Sequence, residues 1–271
     1  MTRSWQLAVG SGRRKRIFCL LLTAYCLLVC PLVFAQSDAP VVSTVVVPVV
    51  GSITGANNVR WKTDIELVND LKSETTVTLM LPTAAEQPFI LTTIGPGDTL
   101  RFTDVVSEAF GMDAALSPLV VSTLGRRSVT IRATVYGVRG TEVFKPQPIA
   151  INYGSGYYPQ RTLPGLSFND AYRTNIGLVN LSDKPVEFGL GLQRIPGRTI
   201  AYTRIPIAPN TLWHVAIQYV FPLITAGDDF SIVIETSSPD TYVYASVIEN
   251  ETNSAKFIQP SIGAAASLAA Q

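Results

Sequence analysis

This chain is short of the groups that most enzyme chemistry needs. In 271 residues it has a single histidine, His214, and three cysteines, Cys19, Cys26 and Cys30, all within the first 30 positions. Everything downstream therefore lacks a disulfide and a thiolate metal site. A serine hydrolase would need His214 as its base and a Gly-x-Ser-x-Gly elbow, but Gly51-Ser-Ile-Thr-Gly55 and Gly165-Leu-Ser167 do not have that spacing. Amphipathic helical spacing is also scarce. Its best candidates are Asp104 to Gly111 and Ala216 to Phe221.

What is present begins with an export leader over residues 1–35. Arg13, Arg14, Lys15 and Arg16 form a basic start, Ile17 to Phe34 an apolar stretch, and Val33-Phe34-Ala35 a site for signal peptidase. Pro31 and the Ala35 site oppose the alternative of an uncleaved anchor. Five of the 21 basic residues and none of the 20 acidic ones lie in this segment, so its removal leaves 16 against 20, a net charge of −4. That balance carries no nucleic-acid footprint and implies no membrane span after cleavage. A Sec-type leader places the product in the periplasm, on the cell surface or outside the cell.

The remainder is written twice. Trp61-Lys-Thr-Asp-Ile-Glu-Leu-Val-Asn69 returns 111 positions later as Tyr172-Arg-Thr-Asn-Ile-Gly-Leu-Val-Asn180. Further matches follow: Thr75 to Leu81 with Val186 to Leu192, Ile94-Gly-Pro-Gly-Asp98 with Ile207-Ala-Pro-Asn-Thr211, and Leu119 to Thr123 with Ile232 to Thr236. Short runs of Val, Ile, Thr and Tyr, punctuated by Gly, Pro, Asn and Asp, predict an all-β fold. About seven strands per copy of roughly 105 residues suggest two tandem immunoglobulin-like β-sandwich domains related by internal duplication. The expected boundaries are 41–151 for repeat 1, 152–159 for a linker, 160–262 for repeat 2, and 263–271 for a disordered tail.

The repeated strand can be read by face. Trp61, Thr63, Ile65, Leu67 and Asn69 point one way, and their counterparts Tyr172, Thr174, Ile176, Leu178 and Asn180 describe the same core surface. Asn69 and Asn180 sit at strand ends, where the side chain can bond backbone two residues on. Lys62, Asp64, Glu66 and Val68 point the other way. Replacement of Glu66 by Gly177 suggests a tolerant, solvated face.

Candidate sites are few. Asp228 and Asp229 at a loop-to-strand junction, with Glu249 and Glu251 after a strand end, are the only weak candidates for a metal, Ca²⁺, and neither pair matches an Asp-x-Asp-x-Asp-Gly loop. No other cofactor is implied, and no catalytic residue is assigned. Tyr153, Tyr157 and Tyr158 in the linker, with Trp213 and His214 in repeat 2, are candidates for contact with a sugar or a protein. The plainer reading packs the tyrosines between the domains and leaves His214 on the surface or its rim.

The pattern aromatic-Arg/Lys-Thr-Asn/Asp-Ile-x-Leu-Val-Asn, the Pro-Gly-Asp or Pro-Asn-Thr turn, and the late Ala133-Thr-Val and Ala245-Ser-Val strands resemble those of secreted bacterial proteins with duplicated immunoglobulin-like β-sandwich repeats. The resemblance covers about residues 42 to 262 and implies scaffolding, adhesion, or an accessory role beside an enzyme. The expectation is an exported, non-catalytic structural, adhesion or protein-interaction module with a protein or glycan partner in the envelope. The alternatives are a carbohydrate-binding module using exposed Tyr and Trp, and a glycoside hydrolase or other hydrolase, which would need two carboxyls facing across a cleft.

Overall fold

In a computed structural model, residues 42–83, 85–125, 129–153, 160–195 and 198–262 are described. The leader read over residues 1–35 and the tail read over 263–271 lie outside them. The fold is predominantly β with antiparallel pairing throughout, and no described helix is long and apolar enough to cross a membrane.

The first half runs β1 (Val42–Thr54), β2 (Arg60–Asn69), β3 (Thr75–Met80), β4 (Phe89–Ile94), β5 (Thr99–Phe102), α1 (Val105–Phe110), β6 (Ala115–Leu124), β7 (Val129–Arg139), β8 (Glu142–Val143), β9 (Gln147–Ile149) and β10 (Asn152–Tyr153). The second half runs β11 (Gln160–Phe168), β12 (Tyr172–Asn180), β13 (Val186–Ile195), β14 (Arg198–Ile207), β15 (Thr211–Ala216), α2 (Ile217–Val220), β16 (Gly227–Glu235), β17 (Thr241–Glu249), β18 (Ala255–Ile258) and β19 (Ser261–Ile262). The segment read as a linker thus opens in strand, with Asn152 and Tyr153 paired to Val46 and Val45.

Strand order is the same in both halves. One ladder reads β4-β3-β6-β1-β10 in the first and β14-β13-β16-β11-β19 in the second, and the other reads β5-β2-β7-β9 and β15-β12-β17-β18. In the first half β1 also joins the two ladders, because its register breaks between Val47 and Val50 and its end, Ser52 to Thr54, pairs with Lys62 to Arg60 of β2. Pro48 sits at that break, where a residue without N–H costs no ladder bond.

Each half has its own apolar cluster, fed by the inward residues of both ladders. Val47, Ile65, Leu67, Leu79, Leu119 and Val121 belong to the first, and Ile176, Leu178, Phe188, Leu190, Phe230 and Ile232 to the second. The repeated strand supplies most of its predicted face to each: Thr63, Ile65, Leu67 and Asn69 are buried, as are Thr174, Ile176, Leu178 and Asn180. The aromatic that opens it is not core, Trp61 being half-buried and Tyr172 exposed. The two Asn side chains act as matching ties. Asn69 Nδ2 donates to the carbonyls of Ser73, Ile94 and Gly95 and its Oδ1 accepts from Leu71 N–H; Asn180 Nδ2 donates to those of Lys184, Ile207 and Ala208 and its Oδ1 accepts from Ser182 N–H.

The two short helices form where the sequence places them. Asp104, at φ 58°, precedes α1; its Oδ2 accepts from Ser52 Oγ (2.9 Å) and pairs with Lys62 Nζ (3.3 Å). The corresponding position before α2 is Ala216, which has no charge to satisfy.

Candidate functional site: a cavity at the seam of the two halves

The outer face of β15-β12-β17-β18 is where the halves differ most in chemistry. Antiparallel register sets its residues in rows: His214, Gly177 and Tyr244; then Ala216, Asn175, Ser246 and Phe257; then Arg173, Ile248 and Ala255. In the first half the row matching His214-Gly177-Tyr244 is Arg101-Glu66-Arg132. There Glu66 is gripped by Arg101 Nε (2.6 Å) and Arg132 Nη1 (2.7 Å), and these bonds, Arg132 first, hold its carboxyl below the usual range. Both arginines are exposed, so the cluster is a solvated charge ladder of small energetic worth.

In the second half this face is covered. Tyr244 is 1% exposed and lies flat across the strand, stacked with Phe257 at 5.2 Å and His214 at 5.8 Å between centroids. Gly177 makes this possible, since a Cβ there would fall 2.0 Å from Tyr244 Cε1. The face expected to be tolerant and solvated is therefore buried in the second copy, and the Glu-to-Gly exchange makes room for a ring. A glycine within a strand marks such a close approach.

His214 is not the rim residue that the sequence suggests. It is half-buried, its Nδ1 lies 2.8 Å from Tyr244 Oη, and its remaining surface lines a cavity. Loss of hydration disfavours the imidazolium and lowers its pKa to about 4, so the ring is neutral at pH 7. The same desolvation pushes the Tyr244 phenol far up. A ring of such low basicity, with Nδ1 bonded to a buried phenol, makes a weak general base at neutral pH.

The cavity measures about 380 Å³. The three rows form its floor, and the first half closes it with Val49, Ile53, Trp61, Leu116, Val135 and Ile149. Gln218 of α2 stands on its wall with Oε1 buried and unpartnered. Arg173 is half-buried there. Its Nη1 donates to Asn250 Oδ1 (2.8 Å) and its Nη2 to Asn253 Oδ1 (3.1 Å), while Asn57 Nδ2 of the first half reaches the same Asn253 Oδ1 (3.5 Å). Desolvation lowers the pKa of Arg173 from its usual value, a sign of a cation removed from water.

The other sequence candidates scatter. Trp213 neighbours His214 but faces the opposite way, against the second core, as alternation in a strand requires. Tyr153 contributes backbone pairing to β1, and Tyr157 and Tyr158 lie outside the described residues. Asp228 accepts from Asn169 Nδ2, Asp229 takes a left-handed turn at φ 58°, Glu249 accepts from Thr252 Oγ1, and Glu251 is exposed. Among the described residues no three of His, Cys, Asp and Glu converge as a metal-ligand set.

Arg173, Gly177, Gln218, Tyr244 and Phe257 are the site residues that sequence reasoning passed over. One signal was available: at matched ladder positions an exposed ion-pair triad becomes His, Gly and Tyr. No family model, curated protein or solved structure matches this chain.

Proposed function

We propose that this chain is an exported, non-catalytic interaction module. In this reading two immunoglobulin-like β-sandwich units, related by internal duplication, are joined at an aromatic seam and offer one open sheet edge to a protein partner in the envelope or outside the cell. The duplication is supported by the common strand order and by the paired Asn ties. Export is supported by the basic and apolar leader.

Strand β4 carries the interaction reading. It ends its ladder, and Phe89 and Leu91 on its outward face are each 67% exposed. Natural edge strands are normally blunted by charge or proline, because a free row of N–H and C=O groups recruits another strand. The equivalent edge β14 is blunted in this way by Arg198, Arg204 and Pro206; β4, Phe-Ile-Leu-Thr-Thr-Ile, has neither device.

The test compares residues 36–271 with a Phe89→Lys, Leu91→Lys variant by size exclusion, cross-linking and retention of envelope components. The wild type self-associates or retains a partner, and the variant loses that association while keeping its melting temperature. A strictly monomeric wild type that retains nothing, or a variant that retains everything, would overturn the reading.

A further inference from the structure

The seam cavity has a chemistry of its own that does not depend on β4. Its volume of about 380 Å³ falls within the range of small-molecule sites. At about 30 Å³ for each non-hydrogen atom, the share of a water in the liquid, it admits roughly a dozen. Most of the wall is apolar, with Trp61, Leu116 and Val135 from one half and Ile248 and Phe257 from the other.

Polar groups form a short track along one strand of the floor. Arg173 and Asn175 are two apart on β12 and so share a face, and Asn175 pairs directly with Ser246 of β17. The Asn175 and Ser246 side chains have no hydrogen-bond partner among the described residues, although both line the cavity. Among the described residues Arg173 is the only charged one on the lining, only neutral Asn oxygens accept from it, and no carboxylate lies within ion-pair distance of it. A half-buried cation without a counter-ion has lost hydration that no opposite charge restores, so an anion arriving at that point gains a charge-assisted bond at little further desolvation cost.

We infer that the seam cavity binds a small amphiphilic carboxylate, with its carboxylate on Arg173, Asn175 and Ser246 and a hydrocarbon or aromatic body of about eight carbons against Trp61, Leu116, Ile248 and Phe257. The carboxylate accepts hydrogen bonds from the guanidinium, the amide and the hydroxyl, and the apolar body gains by leaving water. A neutral alcohol of the same length forfeits the ionic contact. A short carboxylate forfeits the apolar one.

Calorimetric titration of the exported chain, residues 36–271, with octanoate, octanol and acetate at low salt tests this. Octanoate saturates one site, octanol binds at least about tenfold more weakly, and acetate gives no saturation below about 10 mM. Arg173→Met removes the preference for octanoate over octanol, and Ser246→Leu, which fills the floor, abolishes both. If Ser246→Leu fails to fold, Trp61 fluorescence supplies a second readout: octanoate changes it in the wild type, and Trp61→Phe removes that change while the heat signal persists. Absence of octanoate binding, equal affinity for octanol, or unchanged octanoate binding in folded Arg173→Met would overturn the inference. The Phe89→Lys, Leu91→Lys variant keeps this binding, so the two readings fail separately.

Discussion

Asn69 and Asn180 each hold a turn together with one amide group, and the cost of losing either is set by what is left behind. Three carbonyls lose a donor, one of the bonds being buried and two part-buried, and a backbone N–H loses its acceptor. Some of these groups reach water, so the sum falls well below the full penalty for each; Asn69→Ala or Asn180→Ala should cost about 2–4 kcal/mol in urea unfolding. Asn→Asp should be as damaging, because a carboxylate cannot donate to any of the three. A loss under about 0.5 kcal/mol would show that the ties are incidental. His214 gives the second prediction at this scale. Its folded pKa of about 4 lies below the ordinary 6.5, so between those values the unfolded chain binds more protons. Its contribution is therefore fully present above pH 6.5 and is lost as pH falls toward 4. The shift corresponds to at most about 3 kcal/mol. Carboxylates titrate in the same range, so the test is a difference: wild type and His214→Gln should converge in stability as pH falls from 6.5 to 4. Parallel curves would place His214 in water.

Strand β12 shows what a single element can and cannot disclose. Its inward face was legible because the two copies repeat it, and repetition of Thr, Ile, Leu and Asn at alternate positions has one explanation in a pleated strand. Both short helices were legible for a related reason, a brief break in alternation at matched positions of the two copies. The outward face was not legible, because its meaning depends on whether another element covers it, and that is a tertiary fact. Glu66 and Gly177 look like drift along the chain; in space one centres an exposed ion-pair triad and the other admits a buried ring. Whether carboxylates that neighbour one another in sequence gather around a point is likewise a tertiary fact; among the described residues no three ligand-type side chains do so. The element-scale prediction follows from Gly177. A methyl group 2.0 Å from Tyr244 Cε1 forces the ring to move, so Gly177→Ala should destabilise by about 1–3 kcal/mol. Coupling identifies the cause: in a Tyr244→Ala background the same substitution should cost almost nothing. Equal costs in the two backgrounds would place the strain in the backbone instead.

At the scale of the whole molecule, the seam makes the halves unequal. Trp61 and Tyr172 occupy matched positions, yet Trp61 is half-buried on the cavity wall whereas Tyr172 is 37% exposed and lines no part of it. Tandem units joined by a modest polar contact usually move and melt independently. Here Phe257 of β18 packs against the apolar cluster of the first half, and Tyr244 is enclosed beside it. Truncating a buried aromatic typically costs about 3–5 kcal/mol, comparable to a large part of a small domain's total stability. Such a contact is large enough to couple two cores that would otherwise unfold separately. Scanning calorimetry of residues 36–271 should therefore give one transition with equal calorimetric and van't Hoff enthalpies. Tyr244→Ala with Phe257→Ala should split it into two, the lower belonging to the half that loses more buried surface. If the wild type already melts in two steps, the seam is a loose contact. The cavity would then open and close on its own, and octanoate, binding only the closed form, should merge the two transitions as its concentration rises.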